Sequence, residues 1–120
     1  MYVNEVKFFD VIPIDSYGPG FFRIEGKIFK SGIVCSSFGI SSWQGYEDFN
    51  NLKKLENKID VIFVGTGHEI CHLPEDFSKA VEKIGLNLEI MSTPSACRTY
   101  NVLLSEGRRI AIAALPVEER

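Results

Sequence analysis

Cysteine, positive charge and long apolar runs are all scarce in this sequence, and each scarcity argues against a class of protein. The three cysteines, Cys35, Cys71 and Cys97, are odd in number, widely spaced and without a repeated pattern. A disulfide framework is therefore not expected, and a reducing cytoplasm fits. Thirteen Lys and Arg stand against sixteen Asp and Glu, for a formal net charge of −3. Nucleic-acid binders concentrate cations on one face, and the Arg108–Arg109 cluster is too short for that, so no nucleic-acid partner is expected. No apolar stretch approaches the roughly 20 residues that cross a bilayer. Residues 1–10 lack the basic start and apolar stretch of a secretory signal, so neither membrane insertion nor export is expected. Repeats, low-complexity segments and like-charge blocks are missing too, and nothing marks a domain boundary.

What is present is an ordinary globular composition, 45% hydrophobic and 24% charged, over 120 residues. That length suits one core, and two halves would be too small to bury one each, so residues 1–120 are expected to form a single domain. The first 40 residues alternate short β-rich runs with turn residues, as a small antiparallel meander would. Val6–Ile14 reads as a strand, Tyr17-Gly18-Pro19-Gly20 as a turn, and Phe21–Ile24 with Lys27–Lys30 as a hairpin about Glu25-Gly26, before a strand from Ile33 to Ser37. Tyr46–Leu55 has Phe49, Leu52 and Leu55 at helical spacing. Ile59–Val64 is a nearly continuous β-branched and aromatic run, the pattern of a strand covered on both faces. The acidic start at Pro74-Glu75-Asp76 and the periodicity of Phe77, Ala80, Val81 and Ile84 predict a helix closed by Gly85. A strand over Leu86–Ser92 follows, then a helix from Thr93-Pro94 to about Ser105 with Thr93 as its N-cap, and a last strand over Ile110–Leu115. The fold class expected is α/β, an N-terminal meander joined to a C-terminal β-α-β-α-β unit with right-handed parallel crossovers, the meander extending or covering the sheet.

Two features could hold a ligand. Gly65-Thr66-Gly67 ends the buried strand at the edge where open α/β sheets place ligands, although two glycines also serve a tight strand exit. The helix opened by Thr93-Pro94 would bring unpaired N–H groups, with Arg98, Thr99 and Asn101 adding charge and hydrogen-bonding capacity. If the two are neighbours, Gly65, Thr66, Gly67, Thr93, Arg98, Thr99 and Asn101 form one anion-friendly corner; otherwise the helix is an ordinary capped one. His68, Cys71 and His72 lie in one short stretch but lack a second pair at zinc spacing, so no metal site is expected and surface histidines beside a buried cysteine are the better reading. Cys97 could be a thiol nucleophile in the first turns of a helix, with His68 or His72 as base, but a buried cysteine packing against Ala96 and Val102 is the simpler account. No Gly-x-Ser-x-Gly elbow, P-loop or Cys-x-x-Cys occurs, and neither catalytic residues nor a cofactor are assigned.

Val61-Ile-Phe-Val-Gly-Thr-Gly67, Met91–Arg109 and Ala113-Ala-Leu-Pro116, with the Gly26–Gly32 hairpin and Trp43 upstream, resemble a widespread family of small domains. That family includes the mitochondrial NADH:ubiquinone oxidoreductase (complex I) assembly factor 3 and an adipogenesis-associated vertebrate protein. The resemblance implies a compact α/β fold and an assembly or accessory role, and it places Gly65, Thr66, Gly67, Thr93, Ala96, Thr99, Asn101 and Glu106 in shared motifs. No mitochondrial targeting segment is read here, as expected of a bacterial member. The function so implied is non-enzymatic protein binding, with a respiratory-complex subunit at the inner face of the membrane as partner. The alternative is a small-molecule or anion-binding domain, or an enzyme, built on the Gly65–Gly67 and Thr93–Arg98 corner.

Overall fold

The continuous burial of three strands organises the chain: Gly32–Ser36 (β4), Val61–Gly65 (β6) and Ile110–Ala114 (β8) are inaccessible along almost their whole length. Strands covered on both faces need layers above and below, and the computed structural model, which describes residues 11–118, supplies them. The remaining strands are Ser16–Gly18 (β1), Phe21–Ile24 (β2), Lys27–Phe29 (β3), Gly39–Trp43 (β5) and Asn87–Met91 (β7). The helices are Asn50–Lys53 (α1), Glu75–Lys83 (α2) and Thr93–Ser105 (α3). β1–β3 form a three-stranded antiparallel sheet, and the main sheet has the order β5-β4-β8-β6-β7. β6 runs parallel to both β7 and β8, while β4 is antiparallel to β8 and to β5.

Two hydrophobic clusters lie on opposite faces of the main sheet. On one face α3, through Ala96, Cys97, Tyr100 and Leu104, packs with Phe22 and Ile24 of the small sheet against Ile33, Cys35, Phe63 and Ile112. On the other, Leu52, Leu55, Phe77 and Val81 cover Val34, Ile62, Val64, Ala111 and Ala113. The chain thus leaves β6 over one face by α2, reaches β7, and returns over the other face by α3 to β8, as successive right-handed crossovers require. Both parts of the meander expectation hold: β4 and β5 extend the main sheet, and β1–β3 cover it.

Three local readings are corrected. The strand expected over Val6–Ile14 lies partly outside the described residues, and Val11–Asp15 is not strand. This segment is instead fastened to α3: Tyr100 Oη donates to the Ile12 carbonyl at 2.8 Å, and the Asn101 amide donates to Ile14 O at 2.9 Å and accepts from Ile14 N–H at 2.8 Å. Tyr17 and Gly18, expected in a turn, belong to β1. The helix read over Tyr46–Leu55 shrinks to Asn50–Lys53 because the preceding residues are committed to a turn under Trp43. There Trp43 Nε1–H donates to Asp48 O at 3.0 Å, Gln44 N–H donates to the Asp48 carboxylate at 2.9 Å, and Gly45 has φ +116°. Tyr46 and Phe49 then pack their rings on Phe77 at 5.1 and 6.3 Å.

The hairpin about Glu25-Gly26 forms as read, with Ile24 opposite Lys27 and both turn residues at positive φ, 53° and 78°. Two-residue turns of that hand suit Asn-Gly, and a glutamate there is mildly strained. Glu25→Asn should therefore stabilise the protein by about 0.5 kcal/mol, measured as a higher urea midpoint with unchanged slope; a lower midpoint would contradict the turn geometry.

Candidate functional site

The two crossovers leave the main sheet from the C-terminal ends of β6 and β7, the edge at which β8 also ends and at which an open α/β sheet ordinarily leaves a crevice. Here a hydrogen-bonded joint occupies its centre, and hollows of about 530 and 220 Å³ remain at this edge, the first lined by Tyr46, Asp76 and Leu115 and the second by Thr66, Glu69 and Glu118. Gly67 N–H donates to Thr93 Oγ1 at 2.9 Å, and that hydroxyl donates onward to the Leu115 carbonyl at 2.6 Å. Thr93 N–H donates to Gly67 O at 2.8 Å, and Leu115 N–H donates to Gly65 O at 2.9 Å. One fully buried hydroxyl therefore ties the exits of β6 and β8 to the start of α3.

Each glycine of the turn has its own reason to be there. Gly67 has φ +105°, a conformation that disfavours side chains. Gly65 has ordinary angles, but a Cβ on it would meet Thr93 Oγ1 at 2.8 Å, Thr93 Cα at 3.0 Å and the Ala114 Cβ at 3.2 Å. It is glycine because α3 approaches the strand closely. Between them Thr66 is also engaged: its hydroxyl reaches the carbonyls of Glu69 at 2.8 Å and Met91 at 3.2 Å and accepts from Cys71 N–H at 3.0 Å.

The expectation that Thr93 caps α3 is corrected. Ser92 is the N-cap, its Oγ accepting from Ser95 N–H at 3.4 Å. Thr93 sits one position inside the helix, where its side chain is turned into the joint. The first donors of α3 are all engaged: Thr93 N–H by Gly67 O, Ser95 N–H by the Ser92 hydroxyl and Ala96 N–H by Ser92 O, while Pro94 has none. The positive end of the helix dipole is thus met by backbone and cap oxygens.

Of the residues assigned to the corner, Gly65, Thr66, Gly67 and Thr93 come together in this joint. Arg98 is exposed, with Nη2 at 3.5 Å from Ser95 Oγ. Asn101 is turned to Ile14, and Thr99 is half-buried. Among the described residues, no three or more His, Cys, Asp and Glu side chains gather as metal ligands would. His68, Cys71 and His72 are exposed; the cysteine expected to be buried there is on the surface, because the loop from His68 to His72 is exposed and only Leu73 returns to the core. Cys97 is buried as read, but against Tyr100 and its cluster, since Val102 is 51% exposed. Burial pushes the Cys97 thiol up to about 12 and the Cys35 thiol up to about 11, so neither is a thiolate near neutral pH. The Tyr100 hydroxyl is raised for the same reason and stays a donor.

A model of the family described as proteins of unknown function, DUF498/DUF598, matches residues 14–115. The chain belongs to that family. Its relatives include an uncharacterized protein of Rhodobacter capsulatus, 43% identical over 95% of this chain and 92% of the relative. The NADH dehydrogenase [ubiquinone] 1 alpha subcomplex assembly factor 3 of rat is 31% identical over 92% of this chain, which spans 63% of that relative's length. Among solved structures, a crystal structure described as an outer membrane protein from Bartonella henselae superposes with a TM-score of 0.79 at 35% identity, covering 88% of this chain and 95% of that one. A Bordetella pertussis solution structure described as a Mth938-like domain gives a TM-score of 0.74 at 24% identity over 92% and 89% of the two chains, a likeness of fold. No described helix is long and apolar enough to cross a membrane.

Two outcomes follow from the site geometry. Thr93→Val keeps the shape but strands the Gly67 N–H and the Leu115 carbonyl, and should destabilise by roughly 2–4 kcal/mol in urea unfolding, whereas Thr93→Ser should lose much less and Arg98→Ala almost nothing. Equal effects of Val and Ser at position 93 would show that the hydroxyl does not hold the joint. The thiols give the second. With folded pKa values raised above the unfolded 9.0, Cys35 and Cys97 favour the folded state fully below pH 9. That contribution is lost as pH rises through about 11 and 12. At pH 8, iodoacetamide should modify Cys71 in the native protein and the other two only after unfolding, as read by peptide mass spectrometry.

Proposed function

We propose that this chain is a non-enzymatic accessory protein that binds other proteins during the assembly of a respiratory NADH:ubiquinone oxidoreductase, working in the cytoplasm or peripherally at the inner membrane. The observation that carries this reading is the match to the rat assembly factor over 92% of this chain, including the strand, turn and helix that make the Thr93 joint. The assembly role is named for that relative, and its transfer to this chain is our reading.

The joint itself favours protein binding over the rival reading of an anion or small-molecule pocket. An anion site at a helix N-terminus needs free donors, and those at the start of α3 are already engaged by Gly67 O and Ser92. The corner then works as a fastening, leaving the outer surface for recognition.

Affinity capture of the tagged chain from gently solubilised native membranes should return subunits of the NADH:ubiquinone oxidoreductase, and deletion of its gene should lower the assembled enzyme on native gels. Undiminished enzyme in the deletion strain, with no subunit captured, would refute the assembly role. A thermal-shift series with inorganic phosphate, nucleotides and dicarboxylates tests the rival directly. A ligand at a hundred times its dissociation constant adds about 2.7 kcal/mol of stability, and a rise of that order abolished by Arg98→Ala would establish the corner as a binding site.

A further inference from the structure

We propose that the groove at the opposite edge of the main sheet, where β6 and β8 begin, docks an acidic segment of a protein partner that carries an apolar side chain between its carboxylates. The inference rests on the protein-binding reading above and names the surface and the partner's chemistry.

Parallel strands start at the same edge, so the loops leading into β6 and β8 lie side by side. The first carries Lys54 and Lys58, and the second carries Arg108 and Arg109, all four exposed. Lys58, Arg108 and Arg109 line a groove of about 540 Å³ with Val11, Phe38 and Leu104, and an adjoining hollow of about 240 Å³ shares Phe38 and Lys58 and adds Lys54. Among the described residues, only Arg109 of these four has a carboxylate within 4 Å, Asp60 at 3.8 Å. In a chain of net charge −3, this groove gathers cations, while the hollows at the other sheet edge are lined by Glu47 and Asp76 and by Glu69 and Glu118.

Phe38 is the second feature. It occupies the two-residue turn between β4 and β5, a position that favours Gly, Asn or Asp and gives no backbone reason for an aromatic. It is 62% exposed, with Lys58 Nζ at 5.4 Å from its ring centroid. The turn is held by the Ser36–Gly39 pair and by Phe38 N–H donating to Ser36 Oγ at 3.0 Å. The backbone that carries the ring is thus held, and contact with it costs little backbone ordering entropy. Cations around an exposed apolar ring, with Leu104 and Val11 beside it, match carboxylates flanking an apolar side chain. The groove is short and concave and the remaining surface is net negative, which favours a peptide-sized acidic segment over a long polyanion or a flat anionic membrane.

The test is fluorescence anisotropy with a short fluorescein-labelled peptide holding Leu-Phe between pairs of acidic residues. Control peptides carry Lys in place of the acids or Ser in place of Leu-Phe. The full chain should bind the first peptide at least about tenfold more tightly than either control, with affinity falling as salt rises. Lys58→Glu with Arg108→Glu should weaken binding about tenfold, chiefly by slowing association, and Phe38→Ser should weaken it by speeding dissociation. All these positions are exposed, so unchanged melting temperatures should accompany the losses. Equal binding of the three peptides, or no loss in the variants, overturns the proposal. So does loss of sedimentation with phosphatidylglycerol vesicles in the variants without peptide binding, which would assign the groove to lipid. A variant-dependent change in mass by light scattering would assign it to a second copy of the chain. If Lys58→Glu/Arg108→Glu captures oxidoreductase subunits as well as wild type does, the groove is wrong and the assembly role stands; if neither captures them and the deletion strain keeps its enzyme, the assembly role fails.

Discussion

The architecture depends on the Thr93 hydroxyl and on the close approach that Gly65 permits. A β-α-β-α-β unit that doubles back has its loosest point where the crossovers diverge, because neighbouring strand exits lead away to opposite faces. One buried oxygen, accepting from Gly67 N–H and donating to Leu115 O, joins both exits to the returning helix. Beyond β8 the chain continues the closure, with Gly20 N–H donating to Val117 O at 2.8 Å and Pro19 bridging Val117, so the small sheet is tied to the same corner. A buried polar group is tolerated only when it is bonded, and at this point the bonded group also holds α3 to two strand exits of the main sheet.

That closure redirects the search for function. The C-terminal edge of a parallel sheet is the usual place for ligands, but there Gly67 and Thr93 bond each other, Gly65 O is taken by Leu115 N–H, and Thr66 is engaged by Glu69, Cys71 and Met91. The surfaces with unmet potential lie elsewhere, most clearly the cationic groove around Phe38 at the N-terminal edge. On the proposed reading the two ends of one sheet have different tasks: one is a fastening, and the other receives a partner.

The helix α3 links these ends. Its buried face serves the core through Ala96, Cys97, Tyr100 and Leu104, Tyr100 and Asn101 hold the Ile12–Ile14 segment, and its last turn brings Leu104 to the groove, with Arg108 in the loop just beyond it. Asn101, a polar site candidate by type, fastens the Ile12–Ile14 segment, since an amide can pair with a backbone N–H and C=O together, as a neighbouring strand would.

Much was legible in the chain itself. The unbroken apolar runs of β6 and β8, the glycine stops after α2 and α3 and the Glu25-Gly26 hairpin follow from local chemistry, because burial on both faces, helix termination and positive φ each leave a mark on nearby residues. The alternation of strand and helix also implied parallel β6 and β7 and so brought Thr93 to Gly65. The tertiary structure alone decided what Thr93 does there, since Ser92 and Thr93 are equally able caps by type and only the packing of α3 against Gly65 turns the second hydroxyl inward. It also decided that Tyr46–Phe49 serve the Trp43 cluster instead of a helix, that Cys71 is exposed while Cys97 is buried, and that Phe38 and three cations, from three separate segments in all, share one groove. Each of these depends on contacts between residues distant in the chain, which local propensity and periodicity do not record.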